Sequence, residues 1–336
     1  MRLVGPVSTA EELTERILDD AVVTMACAPL IHAAAQWTSM SWWLCGGRMV
    51  LLPGSFDGAE VWRQVAAEGV NILILIGDAM ARPLLDAWEA EGPFEVPSLY
   101  TISSGGAPLH PTNKTRLQEI LPNLILADGY GSSETGSHAT QRLMPGEDAS
   151  KGTRFAMDPA VTCVLDENLQ PVEPGSGNMG RVARTGRMPL RYYGDPKKTA
   201  ETFVEVDGVR WAVTGDQATV DTDGTITVLG RGSVSINTGG EKVFPEEVEA
   251  ALKTHPGVFD TVVVGVPDER WGETVAAVVA PREGTELTLD DLKAHVKGTI
   301  AGYKAPRKLV LVDEVVRSPT GKADYPWAKE RASSEA

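Results

Sequence analysis

Ile72, Leu73, Ile74, Leu75 and Ile76 follow one another without a polar residue, between Gly69 and Gly77. With Asn71 before it, the run reads as a strand over 71–76 buried on both faces, and such strands belong to parallel sheets covered by helices. The neighbouring segments agree. Residues 48–52 read as a short apolar strand, and residues 58–68 as a helix with Val61, Val65 and Ala66 at helical spacing. Then come a helix over 78–89 with Asp78 as its cap and Pro83 inside it, a strand over 99–103, a helix over 111–121 and a strand over 124–127. Strand–helix alternation predicts an α/β fold around a parallel sheet for residues 1–158.

The texture then changes twice. Short strands over 160–165, 180–184, 209–213 and 225–229, separated by Gly, Pro and Asp turns, predict a β-rich subdomain over 159–230. From residue 231 a small α+β domain is expected. Pro245-Glu246-Glu247 opens a helix carrying Val248, Ala251, Leu252 and His255, and Pro256-Gly257 stops it. Strands over 261–266, 275–280 and 309–312 and a helix over 289–302 capped by Thr288 complete it, and the polar tail 331–336 is expected to fray. The expected domains are therefore 1–230 and 231–336.

Composition excludes several functions. A net charge of −15 over 336 residues makes general binding of nucleic acid or anionic membrane unfavourable, although a local basic pocket could hold a phosphate. No stretch approaches the ~18 apolar residues of a membrane span, and residues 1–6 lack a signal-peptide plan. Cys27, Cys45 and Cys163 lie far apart, which suggests a reducing compartment, the cytoplasm, and no disulfide framework.

Several motifs have both a structural and a chemical reading. Gly175-Ser176-Gly177-Asn178-Met179-Gly180 satisfies a dinucleotide fingerprint, but prolines precede it and a strand-like run follows, so it reads as a turn. Gly129-Tyr130-Gly131-Ser132-Ser133-Glu134-Thr135-Gly136 follows a buried strand. It is either a glycine-rich turn with a solvated glutamate or a phosphate-approaching loop with one carboxylate for Mg²⁺. Ser104-Gly105-Gly106-Ala107-Pro108 is a second glycine turn after a strand, where open α/β sheets bind ligands. Thr214-Gly215-Asp216 is an Asp-containing hairpin turn or a ribose-diol acceptor. Gly230-Arg231-Gly232-Ser233 is a linker or a hinge with a phosphate-directed Arg. Thr238-Gly239-Gly240-Glu241-Lys242 leads into the Pro245 helix. Ser318-Pro319-Thr320-Gly321-Lys322 presents one lysine, solvated or functional.

In this order the motifs resemble those of the adenylate-forming superfamily: acyl-CoA synthetases, nonribosomal adenylation domains and beetle luciferases. The stretch from Gly230 to Glu249, with Gly265-Val266-Pro267-Asp268-Glu269-Arg270-Trp271-Gly272 after it, is most similar to bacterial fatty-acyl- and steroid-side-chain-CoA ligases, as are residues 189–196 with Phe203. The resemblance spans about residues 28–328. It implies a distorted parallel sheet, a β-rich subdomain and a mobile C-terminal lid hinged near Arg231–Ser233. It implies an AMP-forming ligase that joins a fatty or sterol-derived carboxylic acid to CoA, using ATP and Mg²⁺. Two other readings stay open: a non-catalytic binder of AMP, acyl-adenylate or CoA, and an adenylation domain feeding a carrier protein.

By the resemblance, Gly105, Gly106 and Ala107 flank the adenine and Tyr130 stacks on it. Ser133 touches phosphate, Glu134 binds Mg²⁺, Asp216 holds the ribose hydroxyls and Arg231 reaches ribose or phosphate. Lys322 matches the mobile lysine of the adenylation step, and Gly239 and Gly240 border the pantetheine tunnel. His32 matches the residue at the acyl-pocket mouth, and reads equally as a satisfied, partly buried histidine. Three departures stand out. Ser233 replaces the usual hinge Asp or Lys, and Asn237 replaces a lysine of some relatives. The family's Ser/Thr/Gly-rich phosphate loop ending Pro-Lys-Gly is absent from these 336 residues; the only nearby string, Asp195-Pro196-Lys197-Lys198, lies elsewhere. Loss of that loop implies a truncated form with impaired adenylation, which an upstream N-terminal fragment or a homo-oligomer would have to complete.

Overall fold

The computed structural model describes residues 8–15, 21–52, 54–318 and 322–334. Residues 1–6, and Pro319, Thr320 and Gly321 of the lysine motif, lie outside them. Two compact units emerge, Met1–Ala156 and Met157–Ala336. The single division falls after Ala156. The β-rich segment and the C-terminal segment group together in the second unit, with no break at residue 231.

In the first unit α1 (Ala10–Thr14) precedes β1 (Val23–Ala26), α2 (Ala33–Leu44), β2 (Arg48–Leu51), α3 (Gly58–Glu68), β3 (Ile72–Leu75), α4 (Gly77–Glu91), β4 (Thr101–Gly105), α5 (Pro111–Ile120), β5 (Ile125–Ser132) and β6 (Gly136–Leu143). The sheet order is β2-β1-β3-β4-β5-β6. The first five strands are parallel and β6 returns antiparallel to β5. Every residue of β3 is buried, as its apolar run requires.

Helix α3 forms where expected. Asp57 caps it by accepting the Glu60 N–H at 2.7 Å, and Gly69 ends it with φ +61°. It buries Val61, Trp62 and Val65, worth roughly 1.5–3 kcal/mol each. Trp62 donates its indole N–H to Leu84 O at 2.8 Å and meets Trp88 edge-on with centroids 5.1 Å apart. Gly58 is obligatory there: a Cβ would lie 2.3 Å from Pro83 O of α4.

Several expectations need correction. Asp78 does not cap α4; Ile76 occupies that position, and Asp78 sits in the first turn bound to His110. The strand expected to end at residue 127 runs to Ser132, because β6 supplies it with a ladder. Strand β1, helix α2 and strand β6 were not anticipated.

The second unit holds β7 (Thr162–Leu165), β8 (Met179–Arg184), α6 (Pro196–Thr202), β9 (Phe203–Val206), β10 (Val209–Val220) and β11 (Ile226–Arg231). These strands make an antiparallel sheet, β11-β10-β8-β7, with β9 on β10. The Gly175–Gly180 string is a turn leading into β8. The strand expected over 209–213 continues to Val220 with irregularities on either side of Gln217, so Thr214-Gly215-Asp216 lies inside a strand and does not end one.

The remainder is β12 (Ile236–Thr238), β13 (Glu241–Val243), α7 (Pro245–Lys253), β14 (Val258–Asp268), β15 (Gly272–Pro281), α8 (Leu289–Lys297), β16 (Lys308–Leu311) and α9 (Tyr325–Ser334). Its sheet is β13-β12-β15-β14, with β16 parallel to β15. Thr288 caps α8 in a reciprocal capping box with Asp291. That helix stops at Lys297, not at residue 302 as expected. The expected frayed tail is helical through Ser334, because Ala328 and Ala332 are fully buried. Among the described residues no helix is long and apolar enough to cross a membrane.

Candidate functional site

In the first unit the two glycine motifs meet at the carboxyl ends of β4 and β5. Gly105 and Gly129 are register partners. A Cβ on Gly105 would lie 3.3 Å from Gly129 O and 3.6 Å from the Ala34 methyl, so the first turn of α2, which His32 precedes at its N-cap, borders the same spot. The result is a floor of backbone at the sheet end where an open α/β sheet admits a ligand, covered by α2 at buried Gly105 and open at Gly106. Gly106 follows with φ +84° and nothing within 4 Å of its Cβ position; its glycine serves the turn.

That turn is pinned from below. Pro108 O accepts the Asp78 N–H at 3.0 Å, and a Cβ on Gly77 would lie 2.3 Å from the same oxygen. Asp78 accepts the His110 N–H at 3.0 Å through Oδ1, and its Oδ2 meets His110 Nδ1. Ser104 Oγ accepts the Gly77 N–H at 3.0 Å. The segment Gly105–Ala107 is therefore rigidly placed by the start of α4.

Tyr130 lies on β5. Its ring stacks on His138 of β6 at 5.0 Å and 17°, and tilts against Phe155 at 5.3 Å. Beyond it the β5–β6 hairpin exposes Ser133 and leaves Glu134 half-buried. Ser132 Oγ and Thr135 Oγ1 bond each other at 2.9 Å, which stiffens the tip. Among the described residues no group of three or more His, Cys, Asp or Glu could enclose a metal ion. The donor set still suits Mg²⁺, which usually takes one or two carboxylates and completes its shell with substrate phosphates and water.

Motif order did not reveal the buried pair beneath this floor. Lys114 Nζ of α5 lies 2.5 Å from Asp128 Oδ2, and Thr153 Oγ1 bonds both. Asp128 directly precedes Gly129. The available signal was helical spacing, which puts Lys114 in line with buried Leu117.

In the second unit Asp216 and Arg231 are register partners across β10 and β11, with Nε 3.4 Å from Oδ1. The irregular stretch of β10 carries Asp216, whose N–H is 3.3 Å from Thr214 Oγ1. Gly239 and Gly240 form the β12–β13 turn with φ +62° and +90°. A Cβ on Gly239 would lie 2.7 Å from Trp271, whose ring is flanked by the Arg270 and Arg307 guanidinium groups at 4.7 and 4.4 Å. Lys322 is exposed, and its carbonyl accepts the Ser318 N–H at 2.9 Å. The base of that loop is held by Arg317, which grips Asp260 with contacts of 2.7–3.0 Å.

The AMP-binding enzyme family matches residues 3–193, and its C-terminal domain family matches residues 247–322. The medium/long-chain-fatty-acid–CoA/3-oxocholest-4-en-26-oate–CoA ligase of Mycobacterium marinum is 51% identical over 307 residues, covering 91% of this chain and 55% of that protein. The 3-oxocholest-4-en-26-oate–CoA ligase of Rhodococcus rhodochrous is 50% identical, covering 90% of this chain and 55% of its own length. This chain thus spans about half the length of the curated relatives it matches. Among solved structures, the anthranilate CoA ligase AuaEII in complex with anthranoyl-AMP superposes with a TM-score of 0.80 at 22% identity, over 95% of this chain and 61% of that one. The amide bond synthetase McbA of Marinactinospora thermotolerans gives 0.76 at 25% identity, over 95% and 63%.

Proposed function

The chain belongs to the AMP-binding enzyme family, and from that premise we propose that it is part of an AMP-forming acyl-CoA ligase for a fatty or sterol-derived carboxylic acid. The observation that carries this reading is the backbone floor at Gly105 and Gly129, beside the ring of Tyr130 and the Ser133–Glu134 hairpin. A planar base can lie against its open part at Gly106, where nothing stands within 4 Å of the Cβ position.

In this reading Gly105, Gly106 and Ala107 border the adenine and Tyr130 stacks on it. Ser133 donates to phosphate. Asp216 accepts from the ribose hydroxyls, and Arg231, its register partner, points a cation to ribose or phosphate. His32 borders the acyl group, and Gly239 and Gly240 border the pantetheine, with open space at Gly240. The segment after Arg231 acts as the lid, hinged at Arg231–Ser233. Attack of a carboxylate on the α-phosphate is in-line displacement, so these residues work by positioning and by neutralising charge. Mg²⁺, held with the nucleotide by Glu134, would screen the phosphate oxygens. Three free cysteines suit the cytoplasm.

Helix α2 supports an additional polypeptide partner. It buries Ala35, Ser39 and Trp42, yet leaves Trp37, Met40, Trp43 and Leu44 exposed. A cluster of exposed large apolar side chains marks an interaction surface. An N-terminal fragment or a second copy of this chain would cover these side chains.

A second reading is a protein that holds AMP or acyl-adenylate without forming it. Both readings predict that AMP or a non-hydrolysable acyl-adenylate analogue binds more tightly than ATP. Calorimetry checks this; ATP binding about tenfold tighter than AMP, roughly 1.4 kcal/mol, would contradict it.

The lid assignment predicts a crossed pattern in a protein with the phosphate loop restored. Lys322→Ala slows adenylation ~10²-fold or more, the scale of one lost charge-stabilising donor, and leaves thioester formation from preformed acyl-adenylate nearly unchanged. Gly240→Leu does the reverse. Single-turnover assays of each half-reaction separate the two, and equal slowing of both by both substitutions would mean a rigid domain.

A further inference from the structure

Gly230 and Arg231 receive a carboxyl from α7. Glu246 lies so close to Gly230 that a Cβ at that position would sit 2.3 Å from its Oε2 and 3.0 Å from its Oε1. Gly230 has φ +137°, so glycine is required there for conformation as well as for space. Glu246 Oε1 accepts the Arg231 N–H at 3.4 Å, and Tyr325, at the start of α9, lies beside the same carboxyl. Its Oε2 is buried and has no hydrogen-bond partner among the described residues. A buried carboxyl with one unsatisfied oxygen is costly for stability alone, so it calls for another role.

We propose that Glu246 is a positioning residue for the two-step reaction: seated on the Gly230–Arg231 backbone, its carboxyl holds the segment after the hinge in one orientation, and its departure frees that segment to turn. The seat takes the place of the hinge charge that Ser233 lacks. It joins the hinge to the far end of the chain, because Tyr325 follows the Lys322 loop directly.

The surroundings make the latch sensitive to protons. Burial pushes the Glu246 carboxyl up from the ordinary carboxylate range, the two backbone hydrogen bonds oppose this, and the neighbouring Asp216 charge adds to it. The charged and titratable groups that face it are Asp216 on β10, Glu249 on α7 and Tyr325 on α9, with Arg231 beside them on β11. Glu249, buried behind it near Lys253 and Arg317, is itself raised to about 7, chiefly by burial. A carboxyl whose pKa is higher seated than released binds its proton more readily when seated. Low pH therefore favours the seated orientation, and a rise in pH through the seated pKa releases it. Each unit of difference between the two pKa values multiplies the seated-to-released ratio by about ten.

The inference rests on the ligase reading, but its test needs no turnover. Spin labels on exposed Asn178 and Glu283, in residues 1–336 with Cys163→Ser, report the distance across the hinge by pulsed resonance. The wild-type distribution should shift between pH 5.5 and pH 8.5. Glu246→Gln, which keeps the acceptor and cannot ionise, should stay seated at both. Glu246→Ala, and Gly230→Ala, whose methyl displaces the carboxyl, should be released at both. The proposal is overturned if Glu246→Ala keeps the wild-type distribution, or if Glu249→Gln alone abolishes the pH response while Glu246→Gln retains it. A distance shift in a chain that binds no AMP would leave the latch standing and remove the ligase reading.

Discussion

Residues 1–336 expressed alone release no measurable pyrophosphate from ATP and a fatty acid, while the same residues joined to a phosphate loop do. About five charge-assisted contacts to the triphosphate, the number assumed for such a loop, would be worth ~2 kcal/mol each. Their loss forfeits about 10 kcal/mol, a factor of roughly 10⁷ in rate at 1.36 kcal/mol per decade. The roles proposed for the residues of this sequence concern other ends of the ligand: Gly105–Ala107 and Tyr130 the base, Asp216 the ribose, and the Gly239–Gly240 turn of the second unit the pantetheine. Thioester formation from supplied acyl-adenylate and CoA is therefore expected to persist. A coupled pyrophosphate assay, run beside a single-turnover thioester assay, measures both. Robust ATP-dependent acyl-CoA synthesis by residues 1–336 would show that the loop is dispensable.

Replacing Lys114 by Met is expected to destabilise the protein by about 3–5 kcal/mol, because it strands the Asp128 carboxylate in the interior. The Lys114 and Asp128 side chains are only 5% and 10% exposed, so water cannot readily replace the missing partner. The double variant Lys114→Met/Asp128→Leu should recover most of the loss, since apolar replacement of a buried pair is often neutral or better. Urea unfolding checks this through the midpoint at constant slope. A loss below about 1 kcal/mol in the single variant would mean that the pair behaves like a surface one. AMP affinity should fall together with stability, because Asp128 is the residue through which α5 holds Gly129 and Tyr130 in place.

Much of the first unit was legible because its signals are local. The apolar run Ile72–Ile76 can satisfy neither an exposed strand nor a short surface helix, so a covered parallel sheet follows from it directly. Helix α3 has cap, apolar spacing and terminal glycine within a dozen residues, and its observed ends are those expected. The ordered motifs were enough to place the chain in its family, since their sequence along the chain does not depend on how they pack.

Elsewhere the local signal pointed the wrong way or was silent. Glycine has no strong preference of its own, so Gly129–Ser132 read as a turn until β6 provided the ladder that makes it strand. Asp78 has the chemistry of a helix cap, and cap geometry at the end of β3 was preempted by His110, which offers it both a backbone N–H and a ring nitrogen. Tyr130, expected to present its ring to adenine, has His138 and Phe155 packed against it as well, contacts that its own motif could not announce.

The sequence by itself determined the sheet class, the order of the adenylate motifs and the family, because each rests on residues close together in the chain or on order alone. The tertiary structure decided which buried charges face one another and what sits on Gly230 and Arg231. Lys114 meets Asp128 and Thr153, and Glu246 meets Gly230, Arg231 and Tyr325, only after distant segments pack. Such contacts fix the energy of a buried charge, and that energy depends on the partners the fold brings to it, which no spacing along the chain encodes.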